Sequence, residues 1–388
     1  MTTLLNNIKV LHDVAVSAET DLAAGFGCSA YPVTSRCDDG LIACAYRAGS
    51  AQHSSDGLGV VQTSTDNGLN WSPVTVVFDG RDLNPPESLV SPQIIAPHDN
   101  SLLTLFPVTV ITYPDHDILD TEEGLAQQRH YYKSRSVDGG QSWTEPERLT
   151  NISRTKIGLS GRSFVLPDGE LFINTPHLNE WGQGVVGACF SDDHGRTLGS
   201  VVPLFSDPSG EVNYDEAYYT VFDDDQILAL YWVWKRDMEN RKVMRISETL
   251  PVHRSVSNDQ GRTWTLPQAT GIIGQLTCPL AIDSKTVIAA SNYRQKHPGI
   301  RLWISHDCGV TFDTDHVVQL WDATRQQIVA EPVSSIGTGS SEDENHQMES
   351  FTFGLPDLND LGDGTYLLTY YATVERRLHI RACRFTLG

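Results

Sequence analysis

What is scarce in this sequence narrows it before any motif is read. No segment carries apolar residues at i, i+3, i+4 spacing with capping residues at its ends, so almost no helix is expected. No apolar run approaches the roughly 18 residues of a membrane-spanning helix. The opening stretch, MTTLLNNIKVLHDVAV, has no basic segment followed by a long apolar one. No membrane partner and no export signal are therefore expected, which points to the cytoplasm, or to secretion where a signal has been removed. Cationic residues are few: Lys plus Arg number 28 against 49 Asp plus Glu, a formal net charge of -21. A surface of that sign repels phosphate backbones, so nucleic acid is not an expected partner. The seven cysteines are an odd number without CxxC or zinc-type spacing, and read as reduced thiols rather than a disulfide framework. HExxH, GxSxG, a P-loop and GxGxxG in strand-turn-helix context are all missing, so neither a metal nor another cofactor is expected. Oligomeric state is not legible.

What is present is a folded composition, 39% hydrophobic and 20% charged, and two repeats. The first is Ser-x-Asp-x-Gly-x-x-aromatic, at Ser64–Trp71, Ser136–Trp143, Ser191–Leu198 (with Leu for the aromatic), Ser257–Trp264 and Ser305–Phe312, with starts 72, 55, 66 and 48 residues apart. Each asks for a tight turn in which the Asp side chain accepts from its own loop, Gly supplies a positive φ and the aromatic packs back. The second is a short polar turn followed by an apolar strand, beginning at Asp38, Asp99, Pro167, Asp223, Asp283 and Gly362. Five of these six turns are followed by an Asp-box, so each unit reads as two hairpins, or four strands. The expected fold is all-β, a six-bladed β-propeller formed by residues 1–388 as one domain. The last unit lacks its outer strand, which the stretch Ile8 to Val16 is expected to supply, closing the ring and bringing the termini together. An open β-solenoid or a pair of sandwiches is the alternative.

With five Asp-boxes in this order, the chain resembles the sialidase (neuraminidase) superfamily of propellers over essentially its whole length. The resemblance implies that the first residues of each inner strand reach a central pocket: Ser29-Ala30, Ser91-Pro92, Gly161-Arg162, Asp215-Glu216, Cys278-Pro279 and Phe353-Gly354. It implies that the loops after the second strands form the rim. Together these segments hold Arg47, His53, Asp56, Arg162, His177, Glu216, Arg236, Tyr293, Arg294 and His297.

A sialidase uses three arginines on the substrate carboxylate, an Asp acid/base in a first-blade loop, and a Tyr nucleophile activated by a Glu. Where the first clamp arginine would stand, this sequence has Ala30-Tyr31-Pro32. Where the tyrosine would stand, it has Leu355-Pro356-Asp357-Leu358. The Glu is matched by Glu216, the first-blade loop carries His53 and Asp56, and Arg236 and Arg294 fall near the other two arginines. The resemblance thus implies a glycan-active enzyme, a glycoside hydrolase rather than a standard sialidase, taking a carbohydrate, and an acidic one by its arginines. Glu216, Asp56 and His53 are the expected catalytic residues, and Arg47, Arg162, His177, Arg236, Tyr293 and Arg294 the expected substrate contacts. A uronate lyase, with His53 or a tyrosine as base, and a non-catalytic carbohydrate-binding propeller are the alternatives. Trp232, Trp234, Tyr370 and Tyr371 read as core packing or as a sugar-stacking platform. The acidic stretch Gly337 to Ser350, with His346 and Glu349, reads as a long solvated loop.

Overall fold

The computed structural model describes residues 8–17, 27–114, 118, 128–150, 152, 161–179, 183–236, 246–295, 297–323, 353–374 and 377–388; the side chains of 178, 236 and 246–249 are not described. The acidic stretch 337–350 lies outside these residues. Among the described residues the secondary structure is entirely β, in five sheets. Four hold one repeat unit each. Their second strands, Leu102–Val110, Leu171–Asn174, Ile227–Arg236 and Val287–Tyr293, follow the polar turns, and their third strands run into the Asp-boxes. The fifth sheet has eight strands. It contains Cys28–Arg36, Ile42–Gly49, Leu58–Ser64 and Thr75–Phe78 as one antiparallel set, and Phe353–Asp360, Tyr366–Val374, Arg377–Thr386 and Lys9–Ala15 as another. One parallel pair, Cys28 with Leu378, joins the two sets. The expected partnership of the termini is present, with Lys9 opposite Thr386 and Ala15 opposite Arg381. All seven cysteines are unpaired, and six of them are buried.

The Asp-boxes fold as their composition dictates. In the first, Asp66 Oδ1 accepts from Asn70 N at 2.9 Å and Ser64 Oγ accepts from Gly68 N at 2.9 Å, while Trp71 Nε1 donates to Gly68 O at 3.2 Å. The other boxes repeat the Ser and Asp bonds. Each box also abuts a neighbouring unit at its glycine. A Cβ on Gly68 would sit 2.9 Å from Leu367, on Gly140 2.9 Å from Thr63, on Gly195 2.3 Å from Leu103, on Gly261 2.9 Å from Phe172, and on Gly309 2.6 Å from Leu228. Every box therefore presses on the second or third strand of the unit before it in sequence, and the first presses on the last.

That contact predicts a graded result. Gly195→Ala adds a methyl against Leu103 at φ +80, whereas Gly169→Ala adds one at φ +90 with nothing within 4 Å. The first should lose about 2–3 kcal/mol and the second about 1 kcal/mol in denaturant titrations. Equal losses would mean the box glycines do not determine how the units pack.

Three inner strands share an irregularity that positions the site. Ala30 pairs with Arg47 and Val33 with Ala45, so Tyr31 and Pro32 together face Tyr46. Glu216 and Ala217 face Tyr231 in the same way, and Leu355 and Pro356 face Tyr370. These are β-bulges, and their first residues are left-handed: φ is 60° at Tyr31, 45° at Glu216 and 44° at Leu355. Side chains other than glycine resist that conformation, so each bulge is a costly turn-in of the strand.

Candidate active site

The bulges and the ends of the second strands bring one group of polar side chains together. The Tyr31 hydroxyl hydrogen-bonds His53 Nε2, with the two rings nearly parallel at 12° and their centroids 5.9 Å apart. Tyr31 also meets Tyr371 edge-on at 5.8 Å, and Gln52 Nε2 donates to the Tyr371 hydroxyl at 3.5 Å. Arg294 completes the group: its Nε donates to Gln275 Oε1 at 2.6 Å, its Nη2 to Phe353 O at 2.8 Å, and its guanidinium lies 4.9 Å from the Phe353 ring centroid. Gly354 leaves the room for this. A Cβ there would lie 2.9 Å from the Tyr371 hydroxyl and 3.2 Å from Arg294 Nη2.

Charge in this group is governed by burial. Glu216 is pushed well above the ordinary carboxyl range by burial and by neighbouring Asp215, with Arg294 opposing. Asp215 is itself raised by burial, although it accepts from Glu216 N at 2.9 Å. Burial raises the Tyr371 hydroxyl against the pull of Arg294, and raises Tyr31 further. Burial lowers the Arg294 guanidinium, while Tyr371, Glu216 and Tyr31 support its charge. Tyr31, His53, Asp215, Glu216 and Arg294 nonetheless keep partial exposure. The group is therefore the floor of a recess, with a carboxyl of raised pKa, a phenol–imidazole pair and, among the described residues, the Arg294 cation.

Of the sequence-derived candidates, Glu216, His53 and Arg294 meet here. Arg47 does not reach the recess. It is 1% exposed and donates from Nε to Gln52 O at 2.7 Å and from Nη2 to Ser54 O at 2.5 Å on the adjoining loop, and from Nη1 to Leu89 O at 3.0 Å in the next unit. A Cβ on Gly57 would fall 1.1 Å from its Nη1. Asp56 is a loop brace: it accepts from Ser50 N at 3.1 Å and Ser54 Oγ at 2.5 Å. Burial opposes its ionisation, but these bonds and Arg47 outweigh it and hold its carboxyl below the ordinary value. That suits an ionised brace and not a proton donor.

Arg162 is taken by protein groups. It donates from Nη1 to Leu358 O at 2.8 Å and from Nη2 to Asn359 Oδ1 at 2.6 Å, and its Nη1 lies 3.7 Å from the buried Asp357 carboxylate. His177 is buried at the edge of its sheet, 3.3 Å from Thr175 O and against Gly187. Tyr293 carries the Arg301 guanidinium 3.3 Å over its ring, and His297 is exposed. Arg236 ends its strand opposite Ile246, and its side chain lies outside the described residues. Trp232, Trp234 and Tyr370 are core: the two indoles are 6.4 Å apart and Tyr370 packs on Trp321 at 5.9 Å. Tyr371, grouped with them by sequence, faces Arg294 instead.

Sequence reasoning passed over Tyr31, Gln52 and Gln275. The signal for Tyr31 was available, since it lies near the start of an inner strand beside a proline; nothing local marks the two glutamines. Among the described residues no group of three or more His, Cys, Asp and Glu could hold a metal ion.

Comparison with known proteins places this architecture. By fold the chain is similar to a protein of unknown function from Dyadobacter fermentans, at 18% identity and TM-score 0.70, covering 98% of this chain and 99% of the other. It is similar to a Hadza microbial sialidase at 17% identity and TM-score 0.68, covering 96% and 68%. It is also similar to the intramolecular trans-sialidase from Ruminococcus gnavus at 13% identity and TM-score 0.63, covering 95% and 97%. At these identities the likeness shows a sialidase-like fold and no more. None of the curated proteins matches in sequence. The BNR repeat-like domain matches residues 40–365, and the chain belongs to that family.

Proposed function

We propose that this protein is a glycan-active hydrolase with its site at the recess around Glu216 and Arg294. Residues 1–388 form, in this reading, a single six-bladed propeller. The eight-stranded sheet counts as two blades, and the contact of Gly68 with Leu367 closes the ring in the same way that the other boxes join successive blades. The observation that carries the function is the juxtaposition of Glu216, whose carboxyl burial pushes well above the ordinary range, with the Arg294 guanidinium. A carboxyl whose pKa is raised in this direction suits a general acid for a leaving glycosidic oxygen. A guanidinium on the same floor binds an anionic group of the sugar through its fork of donors. The substrate class is therefore an acidic oligosaccharide.

Reducing-end release from a panel of acidic oligosaccharides tests the reading. Wild-type protein should generate new reducing ends without the ultraviolet absorbance of an unsaturated uronate. Arg294→Lys, which keeps the charge and loses the fork, should raise KM about tenfold or more on the acidic substrate. An unsaturated product would replace hydrolysis with elimination, and saturable binding without product would leave a carbohydrate-binding propeller.

A further inference from the structure

We infer that Tyr31 and His53 form the second proton-transfer element of the site, in which the Tyr31 hydroxyl faces the sugar and His53 Nε2 receives its proton. The inference rests on the hydrolase reading and names the group that works opposite Glu216.

The pair is built with unusual care for a loop contact. Tyr31 sits at φ 60°, a conformation disfavoured for an aromatic residue, and is kept there by a bulge across from Tyr46 and by the edge of Tyr371. Strain of this kind persists where surrounding structure fixes it, and it concentrates at functional positions. His53 is held as deliberately. The carbonyls on either side of it, Gln52 O and Ser54 O, both accept from the buried Arg47 guanidinium. Arg47 itself lies across the strand pair from Ala30, one residue before Tyr31. One strand pair therefore delivers the phenol and clasps the backbone around the imidazole. The transfer uses the tautomer in which His53 Nε2 accepts and Nδ1 carries the ring proton.

No carboxylate takes this role in the described recess. Asp56 is engaged by Ser50 and Ser54, and Asp215 shares a strand with Glu216 and accepts its backbone N–H. Tyr31 and His53 are the remaining groups with a transferable proton and an acceptor nitrogen in contact, and both keep partial exposure.

The step balances without any further reactant than water. A water oxygen bonds to the anomeric carbon, and its proton passes to the Tyr31 oxygen as the Tyr31 proton passes to His53 Nε2. The bond from the anomeric carbon to the leaving oxygen breaks with its electron pair, and Glu216 protonates that oxygen. The site is left with an imidazolium and a carboxylate, and exchange with solvent restores both.

The test uses the full chain and a panel of 4-methylumbelliferyl glycosides of neutral sugars, hexuronates and nine-carbon acidic sugars, read by fluorescence. Tyr31→Phe keeps the ring and its packing, and should lower kcat by about 10²–10³ with KM within threefold on the substrate that wild type cleaves. His53→Ala should fall as far and recover at least tenfold in added imidazole, which a purely structural role would not allow. If Tyr31→Phe keeps kcat within threefold, or imidazole restores nothing to His53→Ala, the pair is overturned while the hydrolase reading stands. If wild type cleaves no member of the panel, the hydrolase reading fails and takes the pair with it.

Discussion

Asp357→Ala should cost about 3–5 kcal/mol of stability. Asp357 is 0% exposed. Its Oδ2 accepts from Thr34 N at 2.7 Å and Thr34 Oγ1 at 2.5 Å, and its Oδ1 lies 3.7 Å from Cys278 Sγ and 3.7 Å from Arg162 Nη1. Thr34, Arg162 and Cys278 belong to the first, third and fifth repeat units and Asp357 to the last, so one carboxylate ties together segments far apart in sequence. Removing it strands the Thr34 backbone N–H in the interior and takes away the carboxylate facing Arg162, whose guanidinium keeps only its neutral acceptors Leu358 O and Asn359 Oδ1. Asp357→Asn keeps one acceptor and should lose less. Replacing both ends with apolar side chains, Asp357→Leu with Arg162→Met, should recover most of the loss, because a buried pair gives little net stability over well-packed hydrophobic groups. Urea midpoints for the two single variants and the double variant close the cycle. A loss under 1 kcal/mol for Asp357→Ala would show that Arg162 is not held by this carboxylate, and would return it to the candidates for substrate binding.

The same pair shows where the sequence stops being readable. The Asp-boxes and polar turns were legible because each is a local device: Asp66, Asp138, Asp193, Asp259 and Asp307 accept from backbone within their own loop. The pairing of the terminal strands was legible because the repeat left one strand missing. The arginines were not. Arg47 and Arg162 read alike as cations at strand ends and Arg294 as one in a charged loop, and the partners of Arg162 lie almost 200 residues away, at Leu358 and Asn359. The bulges were also hidden, because two residues opposite one change which side chain turns inward without changing the apolar alternation. That is why Ala30-Tyr31-Pro32 reads as the loss of an arginine, when the structure makes Tyr31 a polar member of the recess. Tyr370 and Tyr371 show the period-two rule at work: one enters the core against Trp321 and the other meets Arg294, and only the register opposite Gly354 distinguishes them.

Glu216→Gln should abolish catalysis and stabilise the fold, and the two effects should separate by pH. For catalysis, the amide has no proton to give the leaving oxygen, so kcat should fall about 10²–10⁴-fold on whichever glycan the wild type cleaves. For stability, burial, reinforced by Asp215, raises the folded-state pKa of Glu216 well above its unfolded value, with Arg294 opposing. Between those two values the native state holds a proton that the unfolded chain has released, so this group's contribution is fully present below about pH 4.3 and is lost as pH rises toward the folded pKa. Glutamine carries no such dependence. Melting temperatures of the two proteins should therefore coincide near pH 4, and the variant should melt higher at pH 7 to 8. A wild type as stable as the variant at pH 8 would show that the carboxyl is ionised and compensated in the recess, and it would then be a poor general acid. A variant that is more stable and still turns over substrate would remove Glu216 from the chemistry while leaving its burial intact. The expected combination, gain in stability with loss of turnover, is what a carboxyl kept at a cost for its proton produces.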